Sequence, residues 1–204
     1  MTVRLFAPWE KIGSGLLLVA ASPVIAVSAL LICALSRRSP FVAHLRVGQH
    51  GSALWMLKLR TMWNAGPALP SEMGWLERIV AEPGASGKKC RDSRVCSAFA
   101  SFCRRHSIDE LPQLWHVVTG EMSLVGPRPL TATELAYHYG SRIPQLLSVK
   151  PGITGLWQTQ GRSTLDWKAR VSLDLDHLRL RSAKSYFAIL YRTFPVLISG
   201  RGAW

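Results

Sequence analysis

Acidic residues are scarce in this chain of 204 residues: 12 Asp and Glu stand against 25 Lys and Arg, a formal net charge of +13. Such an excess implies polyanionic partners, namely nucleic acid, anionic lipid head groups or phosphorylated substrates. Charge of either sign is thin, at 18% of residues against 48% hydrophobic, which excludes a disordered chain. Cysteine is sparse too. Cys33, Cys90, Cys96 and Cys103 form no C-x-x-C pair, so they argue against a zinc site and read as reduced thiols of a cytoplasmic body. There is no internal repeat, no low-complexity tract and no nucleic-acid-binding motif. What the chain does have is length for one domain with a core plus a membrane element. It also has 8 Trp, which suit a membrane interface as well as base stacking.

Residues 12–35 are an apolar run without a charge. At about 1.5 Å per residue it is long enough to cross a hydrocarbon core of about 30 Å. It is long for a signal peptide, and basic residues follow it directly. A spanning helix and a re-entrant hairpin remain. Ser22-Pro23 lies near the middle, where Pro23 removes a helical hydrogen bond and Ser22 can bond the freed carbonyl. Arg4 and Lys11 precede the run and Arg37 and Arg38 follow it, which places both ends on the cytoplasmic side. Proline is common in spanning helices as well, so the residues alone leave both readings open.

Residues 39–49 read as a loop and 52–62 as a strand, with Lys58 and Arg60 on one face. Paired cations there suit a diphosphate, or an edge that discourages aggregation. Residues 63–89 read as a loop or lid with a short helical patch at 72–80. Residues 92–105 read as a helix that brings Arg94, Arg104 and Arg105 toward the acidic pair Asp109-Glu110.

That pair precedes an apolar segment at 111–118 that reads as a helix, with Pro112 at its first position. Free N–H groups and the helix dipole favour anions there. Asp109 can serve as a carboxylate nucleophile and Glu110 as a magnesium ligand or acid/base. The plainer reading is a capping box over Ser107-x-x-Glu110, although Pro112 then falls inside the helix. Further on, Pro127 and Pro129 fix the backbone on both sides of Arg128, which makes its guanidinium a good phosphate clamp. Trp157 and Gln158, in a Gly/Pro-shaped loop running into a short strand, can stack on and hydrogen-bond a base or sugar; Trp157 equally suits a core. Arg162 adds a cation. Residues 131–139 and 166–180 read as helices. Asp174 and Asp176 do not share a helical face, so no joint metal site is indicated. Residues 186–198 suit a helix lying in a membrane interface or an amphipathic core helix.

The motif Ser107-Ile108-Asp109-Glu110-Leu111-Pro112-Gln113-Leu114-Trp115, continued by Gly120-Glu121-Met122-Ser123-Leu124-Val125-Gly126-Pro127-Arg128-Pro129, resembles the bacterial sugar transferase family. Its members are monotopic polyprenyl-phosphate phosphoglycosyl transferases that begin surface-glycan assembly. Lys58-Leu59-Arg60-Thr61-Met62 and Lys150-Pro151-Gly152-Ile153-Thr154-Gly155-Leu156-Trp157-Gln158 are similar to two further family elements. The resemblance covers almost the whole chain and looks like the minimal catalytic type.

It implies an α/β fold: a small monotopic membrane protein with an N-terminal re-entrant helix-break-helix and interfacial amphipathic helices. Residues 1–38 would be the membrane helix, broken at Ser22-Pro23, and 39–204 the cytoplasmic catalytic domain. It implies a UDP-sugar donor, undecaprenyl phosphate as acceptor and no nucleic acid, at the cytoplasmic face of the bacterial inner membrane. Asp109 would be the nucleophile and Glu110 the Mg²⁺ ligand, with Lys58, Arg60, Arg104 and Arg128 on phosphate. The chain departs from the family pattern in two places: no glycine follows Asp92-Ser93-Arg94-Val95-Cys96, and Tyr186 stands where an Asp is frequent. Those departures keep a rival open, an inactive relative serving as a membrane scaffold or lipid-phosphate binder.

Overall fold

The structure is a computed structural model that describes residues 7–63, 68, 72–80, 94–95, 97–161 and 164–200. Helix α1 (Ala7–Ser36) takes up the apolar run. Over Pro8–Ser36 it has a mean hydropathy of 2.6 and is the one described helix long and apolar enough to cross a membrane. Ser14, Ser28, Ala29 and Ile32 are buried, with Leu18, Ala21 and Ile25 half-buried between them. Spacings of three and four put all seven on one face. The opposite face exposes Trp9, Ile12, Leu16, Val19, Val27 and Leu30.

The helix continues through Ser22-Pro23, where an interruption was expected. Pro23 cannot donate to the Val19 carbonyl, and the Ser22 hydroxyl donates to it instead at 2.8 Å. The lost backbone bond is thereby replaced and the helix carries on.

Strands β1 (Phe41–Val47) and β2 (Ala53–Leu59) form an antiparallel hairpin, with Phe41 opposite Leu59. His50 and Gly51, at φ 56° and 82°, turn the chain between them. β3 (Leu76–Ile79) pairs parallel to β1 on its other side. Two local expectations fail here. Residues 39–49 hold a strand and not a loop, and 72–80 hold β3 and not a helical patch. Leu, Glu and Arg favour helix locally, but the ladder to β1 and the Arg60–Glu77 ion pair decide the outcome for β3.

Val42, His44 and Arg46 share a sheet face with Leu54, Met56 and Lys58. On that face Leu54 and Met56 pack with Val117 and Met122. On the other face Leu59 packs with Ala29 and Ile32 of α1, flanked by Phe41 and Ile108.

Helix α2 (Ala98–Arg105) starts at Ser97, whose hydroxyl accepts the Ala100 N–H at 3.0 Å. A 3-10 helix (Ile108–Gln113) follows, then α3 (Leu114–Thr119) and β4 (Ser123–Val125). α4 (Ala132–His138) opens on a Thr131–Glu134 capping box. After α5 (Ile143–Leu147), β5 (Gly152–Thr154) pairs parallel to β4. The short strand expected within 149–158 is β5, and Trp157 and Gln158 lie beyond it in α6 (Leu156–Gln160). α7 (Trp167–Arg179) and α8 (Ala183–Ser199) complete the chain, the latter exposing Phe187, Tyr191, Phe194 and Ile198 on one face. A third core joins α4, α5 and α7 through Leu130, Leu135, Tyr139, Leu146, Val171 and Leu175.

Candidate active site

The acidic pair sits in the 3-10 helix, wedged between α1 and β2 by the packing of Ile108 against Ala29, Ile32 and Leu59. Ser107 lies in the left-handed region at φ 56°, which turns the chain out of α2. It makes no side-chain cap; the Glu110 N–H instead meets the Ser107 carbonyl at 3.1 Å. The capping box is therefore not formed. Pro112 lies inside the 3-10 helix and not at the first position of an α-helix, and α3 begins two residues later.

One oxygen of Glu110 receives two cations. Lys58 Nζ lies 2.6 Å from Oε1, and Arg128 Nη2 lies 3.3 Å from the same atom. The three side chains are 12–20% exposed, so these charges meet largely away from water. Burial pushes the Lys58 ammonium down from the ordinary lysine range; Glu110 opposes that and Arg128 adds to it. Asp109 is buried beside them. Its charge reaches Lys58 and the Cys103 thiol, and that thiol is pushed up to about 11, first by burial and then by Asp109.

The neighbourhood is cationic. His44 is held neutral, pushed down to about 3 by burial and then by Lys58, Arg46, Arg60 and Arg128. Arg46 Nη1 is 3.8 Å from Glu134, while its buried Nε has no hydrogen-bond partner. Neither residue stands out in the sequence. Only the hairpin register puts them on the Lys58 face.

The remaining expected site residues are dispersed. Arg60 is buried in a separate cluster, paired with Glu77 and donating from Nε to the Ser39 carbonyl at 2.7 Å. Arg38 joins that cluster through Glu72 at 2.8 Å. Arg104, half-buried on the last turn of α2, pairs with no carboxylate among the described residues. Trp157 is buried, with the Arg170 guanidinium 4.9 Å above its ring. Gln158 donates to the Ile153 carbonyl at 3.1 Å, and its amide oxygen is buried without a partner. Arg162 lies outside the described residues. Asp174 belongs to the third core, where the Tyr139 hydroxyl donates to it at 2.6 Å.

Among the described residues no group of three or more His, Cys, Asp and Glu converges on a metal position. Asp109 and Glu110 offer two hard carboxylates. That donor set fits Mg²⁺, which takes one or two carboxylates and completes its shell with water and substrate phosphates.

A family model described as bacterial sugar transferase matches residues 7–200. The chain is 33% identical over 189 residues to the exopolysaccharide production protein ExoY of Sinorhizobium fredii, covering 93% of this chain and 83% of that one. It is 32% identical over 205 residues to the UDP-glucose:undecaprenyl-phosphate glucose-1-phosphate transferase of Caulobacter vibrioides, covering 96% and 70%. The undecaprenyl-phosphate galactose phosphotransferase of Salmonella typhimurium is 35% identical over 161 residues, 79% of this chain but 34% of that longer protein. With the acidic pair, the Lys58 and Arg128 contacts and the match along nearly its full length, the chain belongs to the bacterial sugar transferase family.

Proposed function

We propose that this protein transfers a sugar-1-phosphate from a UDP-sugar to undecaprenyl phosphate, releasing UMP, as the first membrane step of surface-glycan assembly. The supporting observation is the buried Asp109 beside a Glu110 held by Lys58 and Arg128. An Asp109 oxygen attacks the β-phosphorus, the bond from that phosphorus to the bridging oxygen breaks, and UMP leaves. A phosphate oxygen of the polyprenyl phosphate then attacks the same phosphorus. The acyl-phosphate bond to Asp109 breaks and the carboxylate returns. Two steps at one carboxylate let a water-soluble donor and a lipid acceptor use the site in turn.

Lys58 and Arg128 offset the repulsion between a carboxylate and an anionic diphosphate, and they stay in place through both steps. Mg²⁺, held by Glu110 with Asp109 adjacent, would supply further charge stabilisation to the phosphoryl oxygens.

The membrane arrangement we propose is monotopic, at the cytoplasmic face of the inner membrane. α1 keeps one face against the body from Ser14 to Ile32. At about 1.5 Å per residue that contact runs for roughly 27 Å, nearly the thickness of a hydrocarbon core. A helix crossing the bilayer could not keep it without drawing the charged body in. Lying in one leaflet, it exposes Ile12, Leu16 and Leu30 to lipid and keeps both ends on one side.

The test is UMP release from a panel of UDP-sugars with undecaprenyl phosphate, Mg²⁺ and detergent-solubilised protein. Release from one donor, lost in Asp109→Asn and on chelation, is the expected result. Release that persists in Asp109→Asn would remove Asp109 as the nucleophile. Tags at both termini should label from the cytoplasm, and labelling from opposite sides would sink the monotopic arrangement.

A further inference from the structure

Glu10, in the first turn of α1, holds three donors on one carboxylate oxygen. The Ser123 hydroxyl and the Leu124 N–H each reach Oε1 at 2.6 Å, and the Tyr186 hydroxyl reaches it at 2.8 Å. The positive charge of Arg181 is also within range of Glu10. One anionic oxygen thus joins α1, β4 and α8, and hydrogen bonds to a charged acceptor are the stronger kind.

β4 is the strand that leads into Gly126-Pro127-Arg128-Pro129. β5 holds it on one side: Ser123 N–H donates to Pro151 at 2.9 Å, Gly126 N–H to Thr154 at 2.9 Å, and Gly152 N–H to Pro127 at 2.8 Å. Glu10 bonds its first two residues from α1. Leu124 and Arg128 are then separated by Val125, Gly126 and the ring-locked Pro127, a segment with little freedom to absorb a shift.

We propose that Glu10 is a positioning residue for the Arg128 clamp, and that it carries the seating of α1 and α8 on a lipid surface to that guanidinium. The proposal rests on the phosphotransfer reading above for the role of Arg128. Both helices show lipid a bare apolar face, Trp9 and Ile12 on one, Phe187 and Tyr191 on the other. A single carboxylate bonds both the strand feeding the clamp and, through Tyr186, the second of these helices. Tyr186, one of the departures from the family pattern, has its role here as one of the three donors.

The experiment compares wild type with Glu10→Gln as full-length protein in lipid nanodiscs. Amide exchange at Gly126 and Gly152 should quicken by about tenfold, while that of Leu135 and Tyr139 in the third core stays unchanged. In UMP release, Glu10→Gln should lower kcat/KM by about tenfold beside an intact Arg128, and by less than about twofold in an Arg128→Gln background. Unchanged exchange at Gly126 and Gly152, or losses that simply add, would overturn the proposal. Tyr186→Phe removes one donor and leaves two. It should shift both readouts the same way by less, and it decides the matter if Glu10→Gln does not fold. A wild type silent in UMP release would count against the phosphotransfer reading alone, because the exchange result judges Glu10 without turnover.

Discussion

Lys58 Nζ and Glu110 Oε1 are 2.6 Å apart in a pair whose side chains are 12% and 13% exposed. The contact joins β2 to the acidic pair and sets where the second carboxylate points. Removing one partner of a buried ion pair strands the other, typically at a cost of about 3–5 kcal/mol. Here Arg128 stays with Glu110, so the stability loss in Lys58→Met should fall below that range, at about 2–3 kcal/mol. UMP release should drop by about a hundredfold if Lys58 offsets charge on the transferred phosphoryl group, as the proposed reaction requires. Urea denaturation and the turnover assay report the two effects separately.

Arg128→Lys keeps the charge and loses the planar fork. An ammonium cannot span Glu110 and a phosphate at once, so kcat/KM for the donor should fall by about ten- to a hundredfold. Folding should change little, because the positive charge is kept and Lys58 still holds Glu110. Equal activity in Arg128→Lys would mean that only charge matters at this position.

Gly152→Ala should be far more damaging than its size suggests. A Cβ there would overlap the Gly126 nitrogen and stand 2.6 Å from its Cα. Both are backbone atoms that cannot swing away, so β4 and β5 would have to part beside Arg128. The expected result is a loss of about 3 kcal/mol or more in denaturant melts. Near-wild-type stability would show that the two strands are not in this close approach.

Asp174 predicts an inverted pH dependence. Burial pushes its carboxyl from 3.8 up to about 7, and the Tyr139 hydrogen bond only partly opposes that. Between those values the folded state holds a proton that the unfolded chain has released, so stability must fall as pH rises. The contribution is complete below pH 3.8 and is lost as pH passes through about 7. Wild type minus Asp174→Asn, followed by urea melts from pH 4.5 to 7.5, should show a stability difference that declines with pH. A difference that stays flat across that range would mean that Asp174 is ionised throughout.

The residues of this candidate site were legible because they are local. Asp109-Glu110 and the Pro127-Arg128-Pro129 clamp each lie within a few consecutive residues, and the apolar run announces α1. Contacts between distant residues were not. β1 exists because it pairs with β2 and β3, and β3 because it pairs with β1; read singly, one segment suits a loop and the other a helix. Lys58 and Arg60 share an alternation that placed both on phosphate, yet Glu77 claims Arg60 from another strand. His116 accepts the Leu57 N–H at 3.1 Å on the outer edge of β2 and meets Glu121 with its other nitrogen at 2.7 Å. Nothing in the sequence near either residue signals that clip. Glu10 meets donors 113 to 176 residues away, beyond any local pattern.

The most direct test of the central account omits the acceptor. Protein incubated with each of a panel of UDP-sugars and Mg²⁺, without polyprenyl phosphate, should release about one equivalent of UMP from its own donor and stop. Its mass should rise by one phosphosugar, mapped to Asp109 and absent in Asp109→Asn. Adding undecaprenyl phosphate should restore the original mass. UMP release that requires the acceptor from the start, with no mass gain, would contradict a covalent step at Asp109.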